Sequence, residues 1–555
     1  MRPREALWSA LGIFLVALVV RAVFATQIVF PKPEDTAYYV GVARNLVEGR
    51  GLVSDAIWSF ATPPLTFPRP AFEVWMPLPT FLAAIPMAIL GATFAAAQVS
   101  SVLIGAVVPV LAWRLAADVA AERSLPVGRA RTLAIGTGLT CAVYLPLVLH
   151  SALPDSTMPF AALALGACLL MARMLRDPRG AHLSDPRLIG AGVLLGLLAL
   201  TRNEAAWLAL IWVGLVLTTG GLGRPERWRL ILGVGVVAFI VFLPWLVRNW
   251  AAFGSPLPGQ AISNAFSVTG FDIFAWNDPP TLARYLAVGP ARLLEMRVEG
   301  FGHNLLTVLL LPGLPISLIG LLALPWQGRD RATRPVALLA LTTFLVTSLV
   351  FPVATQWGTF LHAAGPFQVL IVLSALLALD AGIARLGTRL GWTRPVAWLG
   401  PTLGIGGSLL FTAVLLPTFG TGSRTTAALY AELAARMAAS GRPLDSTAGP
   451  VISNFPIWMA EAERIPALAL PDEPPADVLD LARHFPGTRY LVLIAPEGEH
   501  WPADLATGAP GAECFSRVTL PPWTGAGPDP LAETTVYEIG CPPGASAATI
   551  MGFAP

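Results

Sequence analysis

The chain has 555 residues, of which 55 % are hydrophobic and only 13 % charged, and its mean hydropathy is +0.65. A soluble protein of this size has too little interior to hide that much apolar surface, which sets aside a disordered chain, a nucleic-acid binder and a cytosolic enzyme. The net charge of +2 names no polyanionic partner, and of 36 basic residues all but Lys32 are Arg.

Apolar stretches of roughly 17–25 residues, the length that crosses a bilayer, recur along the chain. Segments 8–28, 95–116, 132–150, 157–174, 188–201, 205–220, 230–247, 303–325, 335–351, 364–380 and 396–417 read as spans. The first is too long for a signal peptide and lacks a small-residue cleavage site, so it reads as a retained anchor. Arg2 and Arg4, then Arg114/Arg123/Arg129/Arg131, Arg173/Arg176/Arg179/Arg187, Arg224/Arg227/Arg229, Arg329/Arg331/Arg334 and Arg385/Arg389/Arg394 fall at alternate junctions. The positive-inside rule puts these clusters in the cytoplasm, provided that 76–92, with Pro77, Pro79 and Pro86, lies at the interface or re-enters rather than crossing. The N-terminus is then cytoplasmic and the C-terminus outside.

The expected fold is a polytopic all-α membrane protein of about eleven spans. It comprises a membrane domain over 1–417, whose first outer loop (29–94) carries interfacial helices, and a small extracytoplasmic α/β domain over 418–555. In the latter, 424–440 has helical periodicity, 451–455 and 490–494 read as strands, 476–485 as a short helix, and 515–520 and 535–539 as further strands. Cys141 and Cys168 fall in spans and read as buried apolar residues. Cys514 and Cys541 are the pair in the exported domain, where a disulfide can form.

The chemistry-bearing residues gather in the outer turns. The first outer loop opens Pro31-Lys32-Pro33-Glu34-Asp35-Thr36-Ala37-Tyr38-Tyr39, followed by Ala43-Arg44-Asn45-Leu46 and Gly49-Arg50-Gly51. A helix over about 35–48, capped by Asp35 or Thr36, would use these acids for its N-terminal dipole alone. Further on come Phe67-Pro68-Arg69-Pro70 and Trp75-Met76-Pro77-Leu78-Pro79. The next outer turn, Ser151-Ala152-Leu153-Pro154-Asp155-Ser156, holds an acid at the membrane surface, where Asp155 could simply cap the following helix. Thr201-Arg202-Asn203-Glu204 places an ion pair between two apolar segments, where ionisable groups are costly unless paired or lining a cavity. Pro244-Trp245-Leu246-Val247-Arg248-Asn249 and Gln356-Trp357-Gly358-Thr359-Phe360-Leu361-His362 complete the set. A phosphate-binding Walker loop, a His-Glu-x-x-His helix and a nucleophile elbow are lacking.

The order of these features resembles the GT-C glycosyltransferases, among them the protein O-mannosyltransferases and the aminoarabinose transferases of lipid A. The resemblance rests on Glu34-Asp35 with Tyr38-Tyr39, Ala43 to Leu46 and Gly49 to Gly51, on Asp155, on the glycine-rich span Gly192 to Glu204, and on Pro244-Trp245 with Arg248-Asn249 and Phe253-Gly254. It covers about residues 10–380. At 357–362, where many relatives carry Arg-Tyr, this chain has Phe360 and His362.

The resemblance implies an integral-membrane hexosyl- or pentosyltransferase. It would move a sugar, with inversion, from a polyprenyl-phosphate donor to a hydroxyl of a lipid, glycan or protein acceptor, outside a bacterial inner membrane. Asp35 is the expected general base, Glu34 the alternative, and Asp155 the acid that orients the acceptor or supports the base. Arg69, Arg202 and Arg248, with Lys32 and His362 behind them, are expected near the phosphate. Tyr38, Tyr39, Arg44 and Glu204 are expected around the substrate. No cofactor and no nucleic-acid partner are expected. Relatives that use a divalent metal exist, but an isolated acid pair is too little to assign metal ligands here. A transporter or flippase of a lipid-linked sugar is the competing reading, and a non-catalytic membrane scaffold a third.

Overall fold

The computed structural model describes residues 3–177, 185–259, 261–392, 396–445, 449–496 and 500–541. Arg2, Arg179 and Arg394 of the expected cytoplasmic clusters lie outside the described residues. Two units emerge, each discontinuous in sequence: one of 1–28, 75–257 and 293–419, the other of 29–74, 258–292 and 420–555.

The first unit is a helix bundle, and each expected span overlaps helix, although 132–150 and 303–325 are broken. Among the described residues, six helices are long and apolar enough to cross a bilayer: Pro3–Ala25, Phe94–Glu122, Thr157–Arg176, Arg224–Phe253, Gly365–Arg389 and Leu399–Ala439, the last continuing into the second unit. Two helix pairs are long and apolar enough only when taken together, and each is bent. Val127–Val143 and Leu145–Ala152 meet at 58°, and Gly289–Gly313 and Ile316–Gln327 at 119°. The sharper bend corrects the expectation of an unbroken span over 303–325; Pro312, Gly313 and Pro315 interrupt the helical hydrogen bonds there. Leu78–Leu90, Pro186–Ala199, Ala205–Thr218 and Arg334–Leu349 are shorter apolar helices. With this many apolar helices the chain is a multi-pass membrane protein.

Close packing in the bundle uses glycine where backbones must approach. A Cβ on Gly192 would lie 2.6 Å from Cβ of Val237, and one on Gly196 would lie 2.6 Å from Cβ of Val241. The Gly192–Gly196 stripe therefore seats Pro186–Ala199 directly against Arg224–Phe253. At one end of the bundle arginines meet aspartates: Arg123 with Asp330 at 2.7 Å, Arg129 with Asp380 at 2.7 Å, and Arg114 and Arg173 with Asp118 at 2.9 and 3.1 Å.

Among the described residues the second unit holds eight short strands: β1 Val53–Ser54, β2 Ala56–Ile57, β3 Arg69–Pro70, β4 Val451–Ser453, β5 Ala467–Ala469, β6 Tyr490–Ile494, β7 Phe515–Arg517 and β8 Thr534–Ile539. Strands β1 and β3 form a small antiparallel pair. The other six form one sheet in the order β2-β5-β4-β6-β8-β7, parallel across β2, β5, β4 and β6 and antiparallel at β8 and β7. The five residues of β6 are all buried, as a central strand covered on both faces requires. Helices Pro456–Glu463 and Pro475–His484 make the crossovers that parallel neighbours need. Cys514 and Cys541 form a disulfide.

Candidate functional site

In the helical unit, three turns meet at one end of the bundle. The Asp155 turn leads into Thr157–Arg176, and Asp155 Oδ1 accepts the backbone N–H of Thr157 at 2.7 Å. That bond satisfies one of the four donors a helix start leaves open. The other carboxylate oxygen lies 3.8 Å from His362 Nδ1, which is also joined to Thr157 Oγ1 at 2.7 Å. Asp155, Thr157 and His362 are all buried. His362 stands on the turn before Gly365–Arg389, with its ring against Gly358. That glycine has φ of 101°, and a Cβ there would come 3.2 Å from His362 Nε2, so both backbone and ring require glycine.

Arg202 ties the same turns together from the third. Its guanidinium grips Glu204 through Nε (3.1 Å) and Nη2 (2.7 Å), donates from Nη1 to Ser156 Oγ at 3.0 Å, and from Nη2 to the Thr359 carbonyl at 3.0 Å. Of the residues singled out in sequence, Asp155, Arg202, Glu204 and His362 therefore come together. His150 was missed. Its ring lies edge-on to His362 with centroids 6.3 Å apart, and its buried Nδ1 has no hydrogen-bond partner among the described residues. The only local signal for it is Pro146, which ends the regular helix one turn earlier. Arg248 is held within its own helix end, its guanidinium over Trp245 (4.8 Å) and Phe253 (5.3 Å) and donating to Asn249 Oδ1 at 3.2 Å.

In the second unit, the helix of the first loop runs Glu34–Val47, with Pro33 at its cap position and no side-chain capping bond. This corrects the expected cap at Asp35 or Thr36: both residues lie in the first turn with Glu34, after Pro33 rather than before it. Glu34 instead serves another helix. Its Oε1 accepts the N–H groups of Ile457 (3.0 Å) and Trp458 (3.4 Å) at the start of Pro456–Glu463. Burial of this carboxyl pushes its pKa up to about 8, against the two N–H groups, which lower it, and with a smaller upward push from Asp35. Asp35 is half-buried in the same turn, and Lys32 lies 5.4 Å over the Trp458 ring.

The remaining first-loop residues build the unit's interior. Tyr38 and Tyr39 are buried and meet edge to face at 6.2 Å, and the Tyr38 hydroxyl accepts the Phe72 N–H at 2.7 Å. Arg69, fully buried, donates at 2.6 Å to the carbonyls of both Ser59 and Thr62 and lies 3.3 Å from Glu73. Arg44 forms a bidentate pair with Glu461, both side chains 6 % exposed. Burial raises the Glu461 pKa, with Arg44 opposing it. The cavity beside this pair is about 30 Å³, room for a water and far too small for a sugar. Asn45 and Arg50 both hydrogen-bond Asp55, whose carbonyl accepts the Ala467 N–H at 2.9 Å. That bond lays β2 alongside β5.

Among the described residues no group of three or more His, Cys, Asp or Glu side chains is placed to hold a metal ion. No family model and no curated protein matches the sequence. Solved structures do. ArnT from Cupriavidus metallidurans bound to undecaprenyl phosphate aligns with TM-score 0.55 and 14 % identity, over 95 % of this chain and 97 % of that one; its apo form aligns with TM-score 0.53 at the same identity and coverage. The archaeal oligosaccharyltransferase AglB from Archaeoglobus fulgidus, in complex with an inhibitory peptide and a dolichol-phosphate, gives TM-score 0.47 and 13 % identity over 97 % of this chain and 76 % of that one. The ArnT likeness, spanning nearly the full length of both chains, shows that this chain has the GT-C fold.

Proposed function

We propose that the protein is an integral-membrane glycosyltransferase that moves a sugar from a polyprenyl-phosphate donor to an acceptor hydroxyl on the extracytoplasmic face. The observation that carries this reading is the meeting of Asp155, His362 and Arg202, from three separate turns, at one end of an apolar bundle. The fold is also that of a protein solved with undecaprenyl phosphate bound. A donor delivered through the membrane needs no soluble nucleotide-binding domain, and its phosphate is already a stable leaving group. What the protein must supply is a base for the acceptor hydroxyl and fixed positive charge for the phosphate.

Asp35 is assigned as the base. It removes the hydroxyl proton as the hydroxyl oxygen attacks the anomeric carbon, the sugar–phosphate bond breaks and the configuration inverts. Its neighbour Glu34, the alternative, accepts the N–H groups that open Pro456–Glu463. Asp155, fixed at a helix start beside His362, orients the acceptor. Arg202 and Arg248 are the phosphate-side cations, Arg202 as the rigid one, since Glu204, Ser156 and Thr359 hold its guanidinium plane.

The test is transfer from a panel of labelled polyprenyl-phosphate sugars in membranes holding the wild type or Asp35→Asn. The variant should lose about 10²–10⁴-fold in rate. Undiminished transfer by Asp35→Asn removes the base assignment. Labelled lipid that changes leaflet without transfer, in the wild type, establishes a flippase instead.

A further inference from the structure

The first helix buries an arginine four residues before its end. Arg21 is fully buried and has no carboxylate within ion-pair distance among the described residues. Its guanidinium is spent on neutral acceptors. Nε donates to Ser151 Oγ at 2.9 Å; Nη1 donates to the carbonyls of Ala142 at 2.9 Å and Ala17 at 3.3 Å; Nη2 reaches those of Cys141 at 3.4 Å and Leu147 at 3.5 Å.

The need for such a donor is written in the sequence. In an unbroken helix the Ala142 carbonyl would accept from residue 146, but Pro146 has no N–H. The helix bends there by 58°, leaving carbonyls at the break without partners in a medium that offers none. Arg21 supplies donors to Cys141 and Ala142, and Thr412 Oγ1 supplies one to Val143 at 2.7 Å. The partial negative charge at this helix end also suits a cation.

Beyond the break the chain runs through His150 to Asp155. Ser151, gripped by Arg21, donates in turn to the Leu147 carbonyl at 2.5 Å. Gln98 Nε2 holds the Ala152 carbonyl at 2.9 Å and Ser101 Oγ holds that of Leu153 at 2.7 Å. The neighbouring helix makes room with Gly105, where a Cβ would fall 2.2 Å from Ser151 Oγ and 3.3 Å from Arg21 Nε. Two helices, Pro3–Ala25 and Phe94–Glu122, thus converge on one short turn, and Arg21 is the charged contact.

We propose that Arg21 is a positioning residue for the transfer reaction: by bridging the broken helix to Ser151 it sets the His150–Asp155 turn, and with it the Asp155 and His150 side chains against His362. This rests on the glycosyltransferase reading above. Lysine would keep the charge but cannot bridge Ser151 and Ala142 with one planar group. Ser151→Ala leaves Arg21 in place and removes only the link to the turn. Gly105→Ala pushes Ser151 aside with both partners chemically intact.

The experiment compares wild type, Arg21→Lys, Ser151→Ala and Gly105→Ala, full length in nanodiscs, by two readouts. One is transfer kinetics per folded molecule with labelled polyprenyl-phosphate sugars. The other is amide hydrogen exchange over 145–157. Expected are a fall in kcat of about tenfold or more, as displaced catalytic groups give, with donor KM nearly unchanged. Exchange should be faster in 145–157 while the rest of the bundle keeps the wild-type pattern, and Arg21→Lys combined with Ser151→Ala should be little worse than either alone. Unchanged exchange in this segment in all three single variants overturns the proposal whatever the kinetics. So does uniform loosening of the bundle with wild-type kcat per folded molecule, the mark of a merely structural cation. A wild type that transfers none of the sugars sinks the enzymatic reading instead, and exchange together with histidine NMR of His150 and His362 then decides whether Arg21 sets the turn.

Discussion

The Glu34 carboxyl offers a decisive perturbation, because the cap role and the catalytic alternative predict opposite results. Its pKa is pushed up to about 8, chiefly by burial, from an ordinary value of about 4.3. Between those values the folded chain keeps a proton that the unfolded chain releases. The unfolded state then binds fewer protons, so stability is full below the unfolded pKa and falls as pH rises towards the folded one. The slope is at most about 1.4 kcal/mol per pH unit, or about 2–3 kcal/mol between about pH 5.5 and about pH 7.5. Glu463, raised to about 7 by burial, adds a loss of the same sign. Glu34→Gln keeps an oxygen for the Ile457 and Trp458 N–H groups and cannot ionise. Thermal unfolding followed by tryptophan fluorescence at several pH values should show the wild type losing stability across this window. Glu34→Gln should be flatter, and flatter still when combined with Glu463→Gln. Transfer by Glu34→Gln should exceed that of Asp35→Asn by at least about tenfold. Identical pH slopes in wild type and Glu34→Gln would refute the linkage argument, and a loss of transfer as deep as that of Asp35→Asn would return Glu34 to the chemistry.

Arg44→Ala strands Glu461 as a buried, unpaired acid and should cost about 3–5 kcal/mol; Arg44→Met with Glu461→Leu should recover most of it, both read by denaturant unfolding. Gly196→Ala drives a methyl into Val241 and should cost about 1–3 kcal/mol, seen as a lower midpoint in thermal unfolding of the detergent-solubilised protein. The Cys514–Cys541 bridge spans a sequence separation of 27, for which loop entropy gives about 3–4 kcal/mol. Cys514→Ser should lower the unfolding midpoint to that of the reduced wild type, and reductant should not lower it further.

Hydropathy makes the helical regions legible because lipid imposes one solution, an apolar helix with its backbone satisfied internally. What it hides is where a helix breaks and what repairs the break: Arg21 sits among alanines and valines, and its partners Cys141, Ala142, Leu147 and Ser151 come from another segment. The second unit is harder for a related reason. Strand β2 is two residues long, too short for any period, and exists because Ala467 donates to Asp55 from more than four hundred residues away. Arg44 and Tyr38 look like substrate contacts in sequence because charged and aromatic residues beside a membrane invite that reading. The structure pairs Arg44 with Glu461 and buries Tyr38 against Phe72, partners that no local pattern announces. Asp155, Arg202, Glu204 and His362 could be found because each lies in a turn too short to take its charge far from the others' depth.

Three settings of arginine in the helical unit together separate structure from chemistry. At one end, Arg123, Arg129 and Arg173 each face an aspartate, so their charge is neutralised where helices terminate. At the other, Arg202 has Glu204 but also binds Ser156 and Thr359, so its pair is a brace between turns as well as a neutralisation. Arg21 is buried with no acid beside it among the described residues, although an unpaired charge inside a span is the most costly of the three arrangements. Any polar donor could in principle satisfy one carbonyl at the Pro146 break, and Thr412 does so for Val143. Only a planar group with several diverging N–H bonds serves two carbonyls of the break and a hydroxyl beyond it at once. The geometry of the turn bearing Asp155, rather than the stability of the first helix, is what accounts for an arginine at position 21.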